Sequence, residues 1–509
     1  MSFCLRVDGR ELTVEGEGRS LLDVLREDFA IRSAKDGCSP QGQCGCCTVL
    51  VDGSPRVACV TPARRVVGRS VTTLEGLDPP VRDGWADALC ATGGSQCGFC
   101  TPGIIMRLVG LGDRVADRAA VERALAAHLC RCTGWQTIVE AAGGATPHHR
   151  NWEAAASRAA IEGGTPQRVG PAATLGQAGF ADDVAPAGAL VAVPDGRGGW
   201  SVGETLAEAR AAADRIPGRR SGAALRYPLE VPPGEWDLTL RTTWVEPAYL
   251  EPDASWCQPG GEPMTPLANG GAFGGKVASP AAAAARALAD QYGRAVRAVL
   301  SREDVVRLGP KRPPIAAGVR RDGTGRVRVV RTAGWAEAVR SIAPGLEVEE
   351  CDVAGPPTSA ALRGAGWAEA AVLVAAVTGS PTVSHGGAAA TATIAEDGAV
   401  HVRVSCGDPL DETVLRSYCI GATHMALGWV TSEGISVGED GEPTDLTIRS
   451  FGILPAREMA AVEVEIVPDA GPPVNGSDVV FAAVAAATWI DQGLRPEWPT
   501  RPPRKGTSP

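Results

Sequence analysis

Residues 38–59 read CSPQGQCGCCTVLVDGSPRVAC, and the thiols in this stretch decide what the chain is built around. Cys38, Cys44 and Cys47 come from one Gly-punctuated loop, and Cys59 closes the apolar run that follows. A second set lies downstream: Cys97 and Cys100 in QCGFCTPG, then Cys130 and Cys132 in HLCRCTGW. Thiolate sulfur is the soft ligand that iron–sulfur clusters take, four per 2Fe–2S unit. The first loop keeps the C-x2-C step of plant-type ferredoxins, but its first gap is one residue longer than theirs. Cys46 is a competing thiol, standing where that pattern has a small non-ligand residue, and it reads as structural. Four thiols of the second set also suit a structural zinc ion. The C-x-C step is unusual for zinc ribbons, and the adjacent ferredoxin-like set favours a second redox centre. Two clusters in so short a stretch predict an electron wire.

The 509 residues suggest roughly three or four domains. A hydrophobic fraction of 44% is ordinary for a globular chain. The net charge of −10 carries no long like-charge runs, which argues against nucleic acid or an anionic membrane as partner. MSFCLRVDGR has no leader-type apolar core, and no run approaches the ~18 apolar residues of a membrane helix. Fifteen cysteines without a leader point to a reducing, cytoplasmic setting, where such spacing means metal ligation before disulfides. Cys4, Cys46, Cys90, Cys257, Cys351, Cys406 and Cys419 fall outside both sets and read as free thiols acting as small hydrophobes.

Phe3, Leu5 and Val7, then Asp8-Gly9, then Leu12 and Val14 form a hairpin pattern. Ser20 with Asp23 caps a helix to about Phe29. A second hairpin, Thr48–Val51 and Arg56–Val60, turns at Asp52-Gly53. These elements make a β-grasp ferredoxin domain over residues 1–76. Helical spacing (Ile104, Ile105, Leu108; Val121, Leu125, Leu129, capped by Asp117) gives a four-helix-type 2Fe–2S bundle over 77–145. Polar, Gly/Pro-punctuated residues 146–172 read as a linker that carries His148 and His149, without ligand company. An α/β texture follows, and residues 501–509 read as a disordered tail. His128 is an ordinary helix-end residue or tunes a cluster; His385 and His424 lack metal-ligand neighbours.

The tandem of GCSPQGQCGCCTVLVDG (37–53), QCGFCTPGIIM (96–106) and HLCRCTGWQTIVEA (128–141) resembles the iron–sulfur part of the xanthine dehydrogenase/aldehyde oxidoreductase family, the molybdenum hydroxylases. The resemblance implies an α+β multidomain chain in which the bundle-held cluster adjoins a molybdopterin and the ferredoxin-like cluster faces the electron acceptor. It puts Gln96 on the pterin, Cys132 as the ligand nearest it, and Gly271, Phe273 and Gly274 of GGAFGGK (270–276) beside molybdenum. Arg363 in ALRGAG (361–366) takes the place of a substrate-site arginine. AGFADDVAPAGALVAV (178–193) is similar to the entry of the molybdenum portion, so 173–245 reads as a shortened hammerhead-like region. Residues 246–500 read as a shortened molybdopterin-binding region, ending in segments similar to the family's C-terminal cofactor segment (417–435, 449–456, 471–487).

The chain departs from the family pattern in three places. The molybdenum portion is far shorter than expected, with material missing mainly near Val377–Val383 and before Gly270. The family's glutamate, in a Gly-x-Gly-Glu context, is replaced by Asn475-Gly476-Ser477-Asp478, which makes Asp478 the nearest candidate base. A glutamine near the pterin appears as Cys419. The implied activity is oxidative hydroxylation of a small aldehyde or N-heterocycle, with Asp478 as base and Arg363 as electrostatic clamp. No FAD-type insertion is present, so a separate acceptor is implied: an FAD subunit, a ferredoxin or similar. Assembly as a homodimer stays open. The alternative is an electron-transfer iron–sulfur protein or subunit whose molybdopterin region is vestigial.

Overall fold

The structure, a computed structural model, describes residues 2–16, 18–145, 150–213, 223–267 and 269–501. His148, His149 and the tail beyond residue 501 lie outside the described residues. The ferredoxin lobe is a mixed five-stranded sheet. Its order runs from Arg10–Glu15 through Ser2–Val7, Ser70–Thr72 and Thr48–Val51 to Ser54–Val57. Alternation places Leu5, Val7 and Val14 inside, against the helix Leu21–Glu27. That helix starts with the expected capping box: Asp23 N donates to Ser20 Oγ at 3.1 Å, and Ser20 N donates to Asp23 Oδ2 at 3.0 Å. The second hairpin pairs Thr48 with Val57 and turns at Asp52-Gly53. Its return strand ends at Val57, two residues before Cys59, which sits in a 3-10 turn.

Helices Pro79–Thr92, Thr101–Val109, Arg118–Leu125 and Gln136–Ala142 make the bundle. Asp117 caps the third of these as expected, accepting from Ala119 N at 2.9 Å. One apolar core runs through sheet and bundle and continues into Trp244, Ile435, Ile448 and Phe451 of the C-terminal part. The iron–sulfur portion is therefore fused to the rest by burial.

Three more sheets follow, and two of them cut across the boundary placed at 245/246. Leu190–Pro194 pairs with Val296–Val299, and Leu238–Thr242 pairs with Ile315–Val319. Residues 173–245 thus share sheets with residues 246–500, because strand pairing is non-local and leaves no composition break at the seam. In a second core, the apolar helix Ser477–Asp491 packs against both Trp367–Thr378 and Glu412–Thr431.

The 146–172 linker needs a correction, because Trp152–Gly163 is a helix. Asn151 Oδ1 accepts from Glu153 N and Ala154 N at its start, and left-handed Gly164 ends it. Ala155 and Ala159 pack on Val414 and Tyr418. Its polar look hid it: the helix buries an ion pair, Arg158 with Glu162 at 3.0 Å, both side chains fully enclosed. No described helix is long and apolar enough to cross a membrane.

Candidate redox site

The loop from Cys38 to Cys47 is folded back on itself by left-handed residues Ser39, Gly42 and Gly45. It encloses Cys38, Cys44 and Cys47, each about 1% exposed, while Cys59 on the next turn is 6% exposed. Cys38 hydrogen-bonds to Cys44 and Cys59, and Cys59 also to Cys47. Backbone donors aim at the sulfurs: Gln43 N to Cys38 Sγ at 3.4 Å, Cys46 N to Cys44 Sγ at 3.5 Å, Cys59 N to Cys47 Sγ at 3.4 Å. Such N–H···S contacts stabilise the negative charge of a thiolate cluster. Cys46 hydrogen-bonds to Cys44 alone and feels Cys38, Cys47 and Cys130 at longer range, which suits a structural thiol between the two sets.

In the second set, Cys97 and Cys132 Sγ lie 3.7 Å apart, and Cys100 hydrogen-bonds to Cys130. Among the described residues no three His, Cys, Asp or Glu side chains converge as a single-ion site. Thiols approaching in pairs fit a dinuclear cluster, where each iron takes two, better than one zinc ion. Each set also holds one thiol ready to ionise. Cys38 is held well below the ordinary thiol range by hydrogen bonds from Cys44 and Cys59, and Cys130 is pulled down to about 6, chiefly by Cys100.

The two sets touch. Leu129 N donates to Cys44 O at 3.0 Å, so the segment entering the second cage is bonded to the first. His128 is buried in this seam, with Nε2 3.2 Å from Thr48 Oγ1 and 3.1 Å from Gly103 O. Burial pushes its pKa down to about 3, which keeps the ring neutral. It is a seam residue, a role its helix-end position did not announce. Arg131, between Cys130 and Cys132, reaches the other way: Nη1 and Nη2 hold Glu433 Oε1 and Oε2 at 2.5 and 2.7 Å, and Nε donates to Pro247 O. The C-R-C motif carried the signal for this clamp, since an arginine pinned between two buried cysteines needs a buried partner.

Beyond Cys132 the chain does bring together Phe273, Arg363 and Asp478. Arg363 Nε donates to Asp478 Oδ1 at 3.1 Å, Nη2 to Ser477 Oγ at 2.9 Å, and its guanidinium stacks 4.4 Å over Phe273. Burial pushes the Asp478 carboxyl upward, opposed by Arg363. Gln96 donates to Cys132 O at 3.0 Å and Ser417 Oγ at 2.9 Å, leaving its buried Oε1 without a partner among the described residues. Gly271 presses on Cys97, and Gly274 on the Ala361 carbonyl. Both glycines serve packing against the chain itself.

These residues match in kind what would hold a pterin, but the space does not. The cavity between Phe273, Arg363, Met425 and Phe481 is about 40 Å³, against roughly 300–1,000 Å³ for organic ligand sites. Protein fills the compartment beside Cys132. A Cβ on Gly421 of the helix Glu412–Thr431 would fall 1.8 Å from Cys132 O. Tyr418 OH donates to Gln167 Oε1 at 2.9 Å, Gln167 Nε2 donates to Ala159 O, and Glu162 accepts from Gly476 N and Ser477 N. Among the described residues, the space between Phe273, Arg363, Met425 and Phe481 is smaller than a molybdopterin. Gln167, Tyr418 and Glu162 gave no sequence signal, because their role depends on the helix Trp152–Gly163.

The 2Fe–2S binding domain family matches residues 73–143. Over 127 residues, 24% of this chain and 79% of the relative, the sequence is 39% identical to the xanthine dehydrogenase iron–sulfur-binding subunit of Escherichia coli. It is 40% identical over 141 residues to the nicotinate dehydrogenase small FeS subunit of Eubacterium barkeri, covering 25% of this chain and 87% of that one. The aldehyde oxidoreductase of Megalodesulfovibrio gigas is 40% identical over 148 residues, 27% of this chain but 16% of the relative. In three dimensions the chain is similar to the aldehyde oxidoreductase structure from Desulfovibrio gigas, with a TM-score of 0.68 at 15% identity and 99% of each chain covered. That likeness carries the fold.

Proposed function

This chain belongs to the xanthine dehydrogenase/aldehyde oxidoreductase family, the molybdenum hydroxylases, and we propose that it works as their iron–sulfur electron conduit. The observation that carries this is the pair of buried four-thiol cages joined at Leu129 N–Cys44 O, next to a compartment of about 40 Å³. The relatives matched over most of their own length are named as iron–sulfur subunits of dehydrogenases, which supports a conduit working with a separate acceptor. Two 2Fe–2S clusters supply one-electron oxidation and reduction. The chain supplies the thiolates, the backbone donors that stabilise their charge, and walls that exclude water. Anaerobically purified protein should hold about four irons per chain, show two EPR signals after dithionite, and contain almost no molybdenum. Colourless, EPR-silent protein would remove the proposal.

One observation favours the hydroxylase reading: Phe273 and Arg363 line that small cavity, and Arg363 is bonded to Asp478. In this reading a molybdopterin would supply the hydroxylation chemistry, Arg363 would orient a small aldehyde or N-heterocycle, and Asp478 would hold its proton. Molybdenum approaching one per chain, with aldehyde turnover abolished by Asp478→Ala, would select it.

A further inference from the structure

We infer that Arg302, fully buried and bonded only to carbonyl oxygens behind the first cage, raises the reduction potential of the cluster held there. The inference rests on the two-cluster conduit and adds a residue that tunes one of its two centres. Ser301-Arg302-Glu303-Asp304 is a capping box: Asp304 N donates to Ser301 Oγ at 3.2 Å, and Ser301 N donates to Asp304 Oδ2 at 2.9 Å. The box starts the helix Arg302–Leu308 and fixes Arg302 as its first residue, 0% exposed. Arg302 Nη2 donates to Gly37 O at 2.7 Å and to Leu250 O at 2.9 Å. Gly37 leads into Cys38 and walls the cage. A Cβ on it would lie 3.1 Å from both Cys44 Sγ and Cys46 Sγ, and 3.2 Å from Leu250 O. One residue therefore separates the guanidinium from the sulfurs.

Among the described residues no carboxylate lies within ion-pair distance of Arg302, and its Nε and Nη1 have no hydrogen-bond partner. The acids beside it in sequence bond elsewhere: Glu303 Oε1 accepts from Gln41 Nε2 at 2.9 Å, and Asp304 holds the cap. Tyr249 offers its ring, 5.8 Å from the guanidinium carbon. Burying a cation without a bonded counter-charge is costly. A cluster of four thiolates, negative in both redox states and more so when reduced, offsets that cost at short range. The second cage has no such charge behind it, because its own arginine, Arg131, is matched by both oxygens of Glu433. Arg449 also bonds the first loop, at Gln43 O, but it is exposed, where water and salt weaken its field. The effect of Arg302 therefore falls on the first cluster.

Reduction adds one electron, and one negative charge, to the cluster without making or breaking a bond, so a fixed cation close by favours the reduced form. A redox titration of the holoprotein followed by EPR reads the two midpoints separately. In Arg302→Gln the ratio of reduced to oxidised first cluster at a given potential should fall about tenfold, which is 59 mV for a one-electron couple. The second cluster should keep its midpoint. Arg302→Lys should hold most of the parent's potential at about pH 6 and lose it towards about pH 9, because a buried amine gives up its proton where a guanidinium does not. The parent should show no such slope. Should Arg302→Gln fail to hold the first cluster, the pH series on Arg302→Lys decides alone. Equal losses in Arg302→Gln and in Arg302→Lys at about pH 6, or loss of the first cluster from both, would make Arg302 a mechanical clamp on Gly37 and overturn the inference. Unmoved midpoints in both variants, or a second-cluster shift of the same size, would overturn it too. Parent protein without clusters would instead remove the conduit.

Discussion

Arg131 and Glu433 face each other across the junction between the second cage and the C-terminal part, paired through both guanidinium nitrogens and both carboxylate oxygens. Their side chains are 7% and 2% exposed, so water screens little of the interaction. Removing one partner of a buried pair strands the other charge, at a cost of about 3–5 kcal/mol. Glu433→Ala should lower chemical stability by that amount and broaden the EPR signal of the second cluster. A loss below about 1 kcal/mol would mean that water reaches Arg131.

The division of thiols into ligands and bystanders can be read from iron counts. Cys59→Ser should remove the first cluster and leave about two irons per chain. Cys132→Ser should remove the second and spare the first. Cys46→Ser should keep about four irons, because its thiol bonds only to Cys44. Loss of iron in Cys46→Ser would make it a ligand.

Gly421 lets the helix Glu412–Thr431 lie on the Cys132 carbonyl. Gly421→Ala would put a methyl where that oxygen sits, an overlap worth about 1–3 kcal/mol of strain. Thermal unfolding should show the loss, and the second cluster should become easier to bleach in air. An unchanged melting temperature would show that the compartment can widen, which would revive the case for a bound pterin.

Asp182 gives the fold an acid limit. Burial alone would raise its carboxyl, but Arg297, Arg26 and Arg32 together hold it down at about 2. A carboxyl lower in the folded than in the unfolded state adds stability that is fully present above its ordinary value and is lost as pH falls towards about 2. This network, with Arg26 to Asp182 and Asp183 at 2.8 Å, joins the ferredoxin lobe to the sheet beyond it. Denaturation midpoints should drop between about pH 4 and pH 2, and Asp182→Asn should flatten that slope. Equal slopes in both proteins would place the acid sensitivity elsewhere.

The iron–sulfur portion was legible in the sequence because its thiols and caps are local. Cys38 to Cys47 is a single loop, Ser20 with Asp23 and Asp117 are caps written within four residues, and the Asp52-Gly53 turn sets the hairpin register. Arg363 and Asp478 were also found, 115 residues apart, through the resemblance. What stayed hidden was the space between them. Whether a cavity is open depends on Tyr418, Gln167 and Gly421 packing from separate segments, and no periodicity reports that. The helix Trp152–Gly163 escaped for a related reason. Its buried face is two alanines and an ion pair, which in sequence looks like solvent-facing chain.

The hydrogen bond from Leu129 to the Cys44 carbonyl makes the two cages mechanically one object. Oxidative damage that springs the first loop also strains the segment that leads into Cys130, so a chain that has lost iron from one centre should bleach faster at the other.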